Sequence, residues 1–251
     1  MPDLNFQVEG AEAVAHAAAP LIAFKLLVTN ADEGERIQTV ALRCQIQIEA
    51  TRRRYNDEEQ KRLLDLYGEP ERWGQTLRTM LWTHASVIVR PFEGSTHVEL
   101  PVPCTFDFNV AAAKYFAGLE TGEVPLCLLF SGTVFYEAPD GALQVSQISW
   151  EKEAKYRLPV RVWQEMMDFY YPNSVWLSLR RDVFDRLNLF KMRSGIPTWE
   201  QALESLLRDE GGTMNAERAV RKDERETLNG RTRDAEPEEQ APDSSRIVHS
   251  S

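Results

Sequence analysis

The chain is poor in the residues that most often carry chemistry. It has only 4 histidines and 3 cysteines in 251 residues. His16 and His249 lie near the ends, which leaves His84 and His97 as internal general bases. No G-x-S-x-G elbow is present, and Ser131-Gly132 falls in mid-strand pattern. G-x-G-x-x-G and the phosphate loop are also missing, which excludes the common nucleotide-binding signatures. Cys44, Cys104 and Cys127 are an odd number at wide spacing, so they read as buried thiols rather than a disulfide framework or an iron–sulfur ligand set. His84, His97 and Cys104 match no familiar metal-ligand spacing, and no metal or cofactor is expected. Excess positive charge is lacking too. The net charge of −10 opposes both phosphate recognition and docking on anionic lipid. No apolar run approaches the roughly 18 residues of a membrane span. The Ala-rich stretch 11–19 has no basic region before it and is broken by Glu12 and His16, so it does not read as a secretion signal. With reduced thiols, these features point to the cytoplasm.

What is present is alternation. Leu4, Phe6 and Val8 alternate with polar residues, as do Ile22, Phe24, Leu26 and Val28. Val40, Leu42, Cys44, Ile46 and Ile48 make the cleanest half-buried strand. Residues 30–34 are turn chemistry, which predicts a hairpin between the second and third strands. Further strands are predicted over 85–90, 96–100, 104–110, 125–136 and 143–150. Apolar residues on both faces make Leu126–Phe130 a central strand, and Pro139-Asp140-Gly141 is a hairpin turn. Loss of alternation between Val145 and Ile148 predicts a bulge.

Helices interrupt this pattern. Asn56 three residues before Glu59 is a capping box, and Gly68 with Pro70 ends the helix it starts. A second helix over 71–81 and one or two turns over 111–119 follow. The expected fold is therefore mainly β: an immunoglobulin-like antiparallel sandwich with inserted short helices and a C-terminal helical segment, α+β overall, with an open sheet backed by helices as the alternative. The sandwich domain should span 1–158, with a helical segment over 159–208 packed on it. In that segment Val160, Trp163, Met167 and Tyr170 keep helical spacing. Asn173 or Ser174 would cap a longer helix through Trp176, Leu187 and Phe190, Gly195 would end it, and Thr198 with Gln201 would cap the next. Residues 209–251 hold 11 acidic and 7 basic side chains and almost no large apolar ones, the composition of a disordered charged tail.

Few residues stand out as functional. Arg52-Arg53-Arg54 reads as a solvated strand end balanced by Asp57, Glu58 and Glu59. Asp107 reads as an outward strand carboxylate with no partner acid or base. The richest stretch is the helix–loop–helix joint at 168–181. Phe169, Tyr170, Tyr171, Trp176, Arg180 and Arg181 combine the residue types enriched where proteins bind proteins. The competing reading is that the rings only pin helices to the sandwich. A dense apolar strand at 126–136 also admits a small apolar ligand inside the sandwich, and an enzyme of unrecognised type is the further alternative, which would have to assemble Asp107, His84 or His97 across the fold.

The blocks Gly-Glu-Pro-Glu-Arg-Trp (68–73), Leu-Trp-Thr-His (81–84), Leu-Pro-Val-Pro-Cys-Thr-Phe-Asp-Phe (100–108), Ala-Ala-Lys-Tyr (112–115), Gly-Glu-Val-Pro-Leu (122–126), Phe-Ser-Gly-Thr-Val-Phe (130–135) and Tyr-Arg-Leu-Pro-Val (156–160) resemble an uncharacterised, actinobacterial-type family over residues 2–208. That family is often encoded near uptake [NiFe]-hydrogenase genes. The resemblance implies an accessory or adaptor protein whose partner is a hydrogenase or its maturation machinery. It implies no catalytic residues.

Overall fold

The computed structural model describes residues 2–105, 110–175, 177 and 179–208. The chain divides into two compact units, Met1–Trp176 and Leu177–Ser251. In chain order the first contains β1 (Leu4–Ala13), β2 (Leu21–Asn30), β3 (Ile37–Ile48), α1 (Asp57–Arg62), α2 (Leu64–Tyr67), α3 (Trp73–Thr76), β4 (Met80–Val89), β5 (Ser95–Pro103), α4 (Val110–Gly118), β6 (Glu123–Glu137), β7 (Leu143–Gln147), β8 (Glu153–Pro159) and α5 (Val160–Tyr170). The described part of the second contains α6 (Arg181–Arg193) and a helical run over 199–208.

The strands form two antiparallel sheets. One has the order β1-β2-β5; the other has the order β4-β3-β6-β7, with β8 also on β6. Their inner faces share one core. Val40, Leu42, Cys44, Ile46 and Ile48 are each 0–1% exposed, as their alternation requires. Aromatic rings join the layers: Phe6 stacks on Phe130 at 4.3 Å, and Phe24 meets Trp82 edge-on at 6.2 Å. The inward side chains of β6 are packed against neighbours, so the strand that suggested an internal ligand is explained by core packing. Among the described residues no helix is long and apolar enough to cross a membrane.

β6 is central, flanked by β3 along most of its length and by β7 and β8 on the other side. The 139–141 turn forms as expected: Ala142 N–H donates to Asp140 Oδ1, and Gly141 takes a positive φ of 80°. The slip after Val145 marks a real break. β7 stops at Gln147, and the chain rejoins β6 as β8.

Several expectations need correction. β2 and β3 form no hairpin; the 30–34 turn carries the chain from one sheet to the other. Asn30, which is buried, organises that crossing by accepting from Asp3 N–H and donating to Asp32 O and Glu35. A local turn signal does not specify which edge the next strand will meet. Over 71–81 only Trp73–Thr76 is α-helical, and Met80 already belongs to β4. The strand expected over 104–110 is absent at both described ends, because β5 stops at Pro103 and α4 starts at Val110. Residues 106–109, including Asp107, lie outside the described residues.

In the second unit α6 begins at Arg181, not near Asn173. Asn173 has a φ of 52°, a left-handed conformation that turns the chain instead of starting a helix. Gly195 closes α6 with φ 63°, and Thr198 Oγ1 accepts from Gln201 N–H to start the last helix. Phe184 packs on Trp199 at 5.3 Å, and Ala202 is buried.

Candidate functional site

Two helices, α1 and α4, are joined by a buried ion pair in the first unit. Asn56 and Glu59 form the predicted capping box: Asn56 Oδ1 accepts from Glu59 N–H at 2.8 Å, and Glu59 Oε2 accepts from Asn56 N–H at 3.3 Å. Glu59 does more than cap. Its Oε1 accepts from Arg53 Nη2 at 2.5 Å and from Glu120 N–H at 3.0 Å, just past α4. Arg53 Nη2 also donates to Thr121 O at 2.6 Å, and its guanidinium lies over the Tyr55 ring at 5.4 Å. The Tyr55 and Tyr115 hydroxyls are 2.9 Å apart. The Arg53 side chain is only 8% exposed, so the arginine run is not a uniformly solvated strand end; Arg52 and Arg54 alone fit that description. Asp57 and Glu58 stay exposed, and Glu59 is the carboxylate withdrawn to meet Arg53.

This clamp fixes the end of α4 beside α5 and shapes a groove of about 540 Å³ between them. Phe116 of α4 stacks on Trp163 of α5 at 5.4 Å, and Trp82 backs Phe116 at 4.9 Å. Met167, Tyr171 and Val175 extend the apolar lining. Ala113 and Ala117 line α4's side, so small residues leave the space open. The rim is polar, and much of it is paired. Arg62 meets Glu120 at 2.9 Å, Lys114 pairs with Asp65, and Gln164 Nε2 donates to the Leu119 and Glu120 carbonyls at 3.2 Å. No histidine or cysteine lines the groove. An apolar lining beside an aromatic stack, inside a charged rim, is suited to holding an apolar group.

A protein-family model, described as a family of unknown function (DUF6084), matches residues 1–215. The chain belongs to this family. No curated protein matches it. Among solved structures, a crystal structure of a Bordetella pertussis protein assigned as ApaA is similar at 12% identity, covering 62% of this chain and 93% of that one, with a TM-score of 0.24. That score supports no inference about fold or function.

The residues singled out in the joint separate. Tyr170 is a pin: its hydroxyl accepts from Ala17 N–H at 2.7 Å and donates to Val14 O at 2.9 Å, tying α5 to the β1–β2 loop. Phe169 is 50% exposed and meets the His16 ring edge-on at 5.2 Å. Tyr171 lines the groove. Arg180, paired with Asp182 at 2.9 Å, and Arg181 are exposed in the second unit. Trp176 lies outside the described residues. His84 and His97 stand on strands of different sheets, both exposed, and His97 meets Glu9 at 3.1 Å. The groove's α4 side went unread in the sequence. Its signal was the run Ala112–Ala117, where Tyr115 and Phe116 point inward between alanines.

The three cysteines are free and buried. Burial pushes the Cys44 and Cys104 thiols up to about 12 from an ordinary 9, and raises the Tyr67 and Tyr115 hydroxyls as well. Unfolded thiols ionise near 9 while folded ones stay neutral, so stability is intact below that value and falls as pH rises towards 12. The urea midpoint should therefore drop between about pH 8 and pH 10.5, and a thiol reagent at about pH 8 should modify these two cysteines only at the rate of unfolding. Rapid modification of either in the folded protein would show that its cover is incomplete.

Proposed function

We infer that the chain is a non-catalytic adaptor that holds an apolar segment of another protein in the α4–α5 groove. The observation that carries this reading is the groove itself, lined by half-buried Tyr171 and exposed Val175 beside the buried Phe116–Trp163 stack, and kept open by Ala113 and Ala117. Phe169 and Tyr171, with Arg180, Arg181 and Trp176 further along the chain, are the partner-binding residues that the composition of the joint suggests. The order β1-β2-β5 opposite β4-β3-β6-β7 supports reading the scaffold as an immunoglobulin-like sandwich, a fold that commonly presents binding surfaces. Three unpaired thiols support a cytoplasmic setting. A [NiFe]-hydrogenase or its maturation machinery is the partner suggested by the sequence resemblance, and that resemblance is its whole support.

The test fills the groove without touching the core. Ala117→Arg places a long side chain in the groove from an exposed position on α4. Stability should change by no more than about 0.5 kcal/mol, while recovery of the partner with the tagged protein from host cells should fall by about tenfold or more. Undiminished recovery of the same partner would remove the groove from the account. A second reading has a specific basis, since the groove's size falls within the roughly 300–1,000 Å³ of small-ligand sites. A small apolar molecule that raises the melting temperature of the native chain but not of Ala117→Arg would favour it.

A further inference from the structure

Five strands end a sheet or lie on its margin: β1, β5, β4, β7 and β8. Four carry the devices that stop an open strand edge from pairing with another chain. β1 has a bulge between Val8 and Gly10 and carries Glu9 and Glu12. β5 contains Glu99, Pro101 and Pro103. β7 is only 5 residues long, and β8 carries Glu153, Lys155 and Arg157. β4 has only one of these, a bulge at Trp82 in its first half; its second half, Ala85–Val89, pairs regularly with β3 and has no proline, glycine or formal charge.

The first half of β4 has neighbours on its flank. Trp82 and Thr83 share a cavity of only about 10 Å³ with Cys104, Thr105 and the start of α4. The second half borders, through Val87 and Ile88, an open groove of about 640 Å³ whose other wall is β5 from Thr96 to Glu99. Here the core is incompletely covered. Val87 is in register with buried Leu42 and Val98 with buried Leu26, so both point between the sheets, yet both are only partly buried. Ile88, on the outer face, is 66% exposed. Next in the chain, Arg90 is exposed and lines the groove, with no ion-pair partner among the described residues. The neighbouring cations are paired, Lys25 with Glu12 and His97 with Glu9.

We propose that the free edge of β4 at Ala85–Val89 is a strand-addition site that takes an extended segment of a protein partner, apolar at alternate positions and acidic at the end that meets Arg90. Main-chain hydrogen bonds to the edge supply affinity that does not depend on sequence. Alternate apolar side chains enter between the sheets and cover Val87 and Val98. Arg90 selects the carboxylate and so sets the strand's direction. The site is separate from the α4–α5 groove and does not rest on the function proposed for it.

A synthetic peptide tests this directly, Asp-Val-Thr-Val-Thr-Val-Thr with a fluorophore at its C-terminus, titrated against the full chain. Saturable binding is expected, with protection of the 85–89 amides from hydrogen exchange. Replacing its central valine with proline should abolish binding, a control that needs no protein variant. Val87→Lys should weaken binding by about tenfold or more. Arg90→Glu should weaken it too, and a peptide beginning with lysine should restore binding to Arg90→Glu but not to the native chain. The proposal fails if the proline peptide binds equally well, if no binding is seen, or if binding ignores both protein variants. It also fails if the chain alone sediments as a dimer that Val87→Lys dissociates, because the occupant is then a second copy.

Discussion

Gly132→Ala is expected to destabilise the first unit by at least about 3 kcal/mol, far more than an alanine for a strand glycine usually costs. Gly132 sits in the middle of β6 opposite Leu42, where the two longest strands of the five-stranded sheet pair. Its φ is 146°, outside the range comfortable for a residue with a side chain. A Cβ there would stand 2.1 Å from Ala41 O and 3.3 Å from Leu42 Cα. Both are backbone atoms of a strand pinned on both sides by ladder hydrogen bonds, so neither can move without breaking the β3–β6 register. Gly118→Ala is the matched comparison. The added methyl would meet Leu63 Cδ2 at 2.7 Å and Cγ at 3.1 Å, side-chain atoms of a buried leucine that can shift where backbone cannot, so its cost should stay at about 1–2 kcal/mol. Urea unfolding of the two variants should separate them clearly. Equal and small losses would mean that the β3–β6 pair is slack at Gly132.

Glu59→Ala is expected to cost about 3–5 kcal/mol, the range for a buried charge left without its partner. Glu59 is 2% exposed and accepts from Arg53, from Glu120 N–H and from Asn56 N–H. Removing the carboxylate leaves Arg53 buried with one carbonyl acceptor, Thr121 O, and one aromatic face, Tyr55. It also frees the end of α4 from α1. Arg53→Met combined with Glu59→Leu should recover much of the loss, because no unpaired charge then remains. The expected sign of this double-mutant coupling is therefore favourable. A Glu59→Ala loss below about 1 kcal/mol would mean that water reaches Arg53 and replaces the carboxylate.

Much of this architecture was legible in the residues, and the failures have common causes. Period-two alternation located β1, β2, β3 and β6 because each has one face in the core or, for β6, apolar residues on both. The capping box at Asn56 and the 139–141 turn were readable because both are set within a few residues. Sheet partnership was not. The turn at 30–34 looks like a hairpin locally, and only the long-range pairing of β2 with β5 and of β3 with β6 sends the two strands into different sheets. The site divided in the same way. Tyr171 was readable as an aromatic at a joint, but the groove's other side is built by Phe116, backed by Trp82, which lie far away in sequence. Arg53 looked like one of three equivalent arginines. Its burial depends on Glu120 and Thr121, beyond any local pattern.

The α4–α5 groove as a protein-binding surface is the central claim, and site-specific photo-crosslinking tests it most directly. A photoreactive amino acid placed at Ala117, in the groove, and separately at Asp140, on the exposed hairpin turn, would be activated in host cells. The groove account predicts one discrete crosslinked protein from position 117, absent from position 140, and lost when Ala113→Arg fills the same groove. Crosslinks that are absent at 117, or identical at both positions, or unaffected by Ala113→Arg would contradict it.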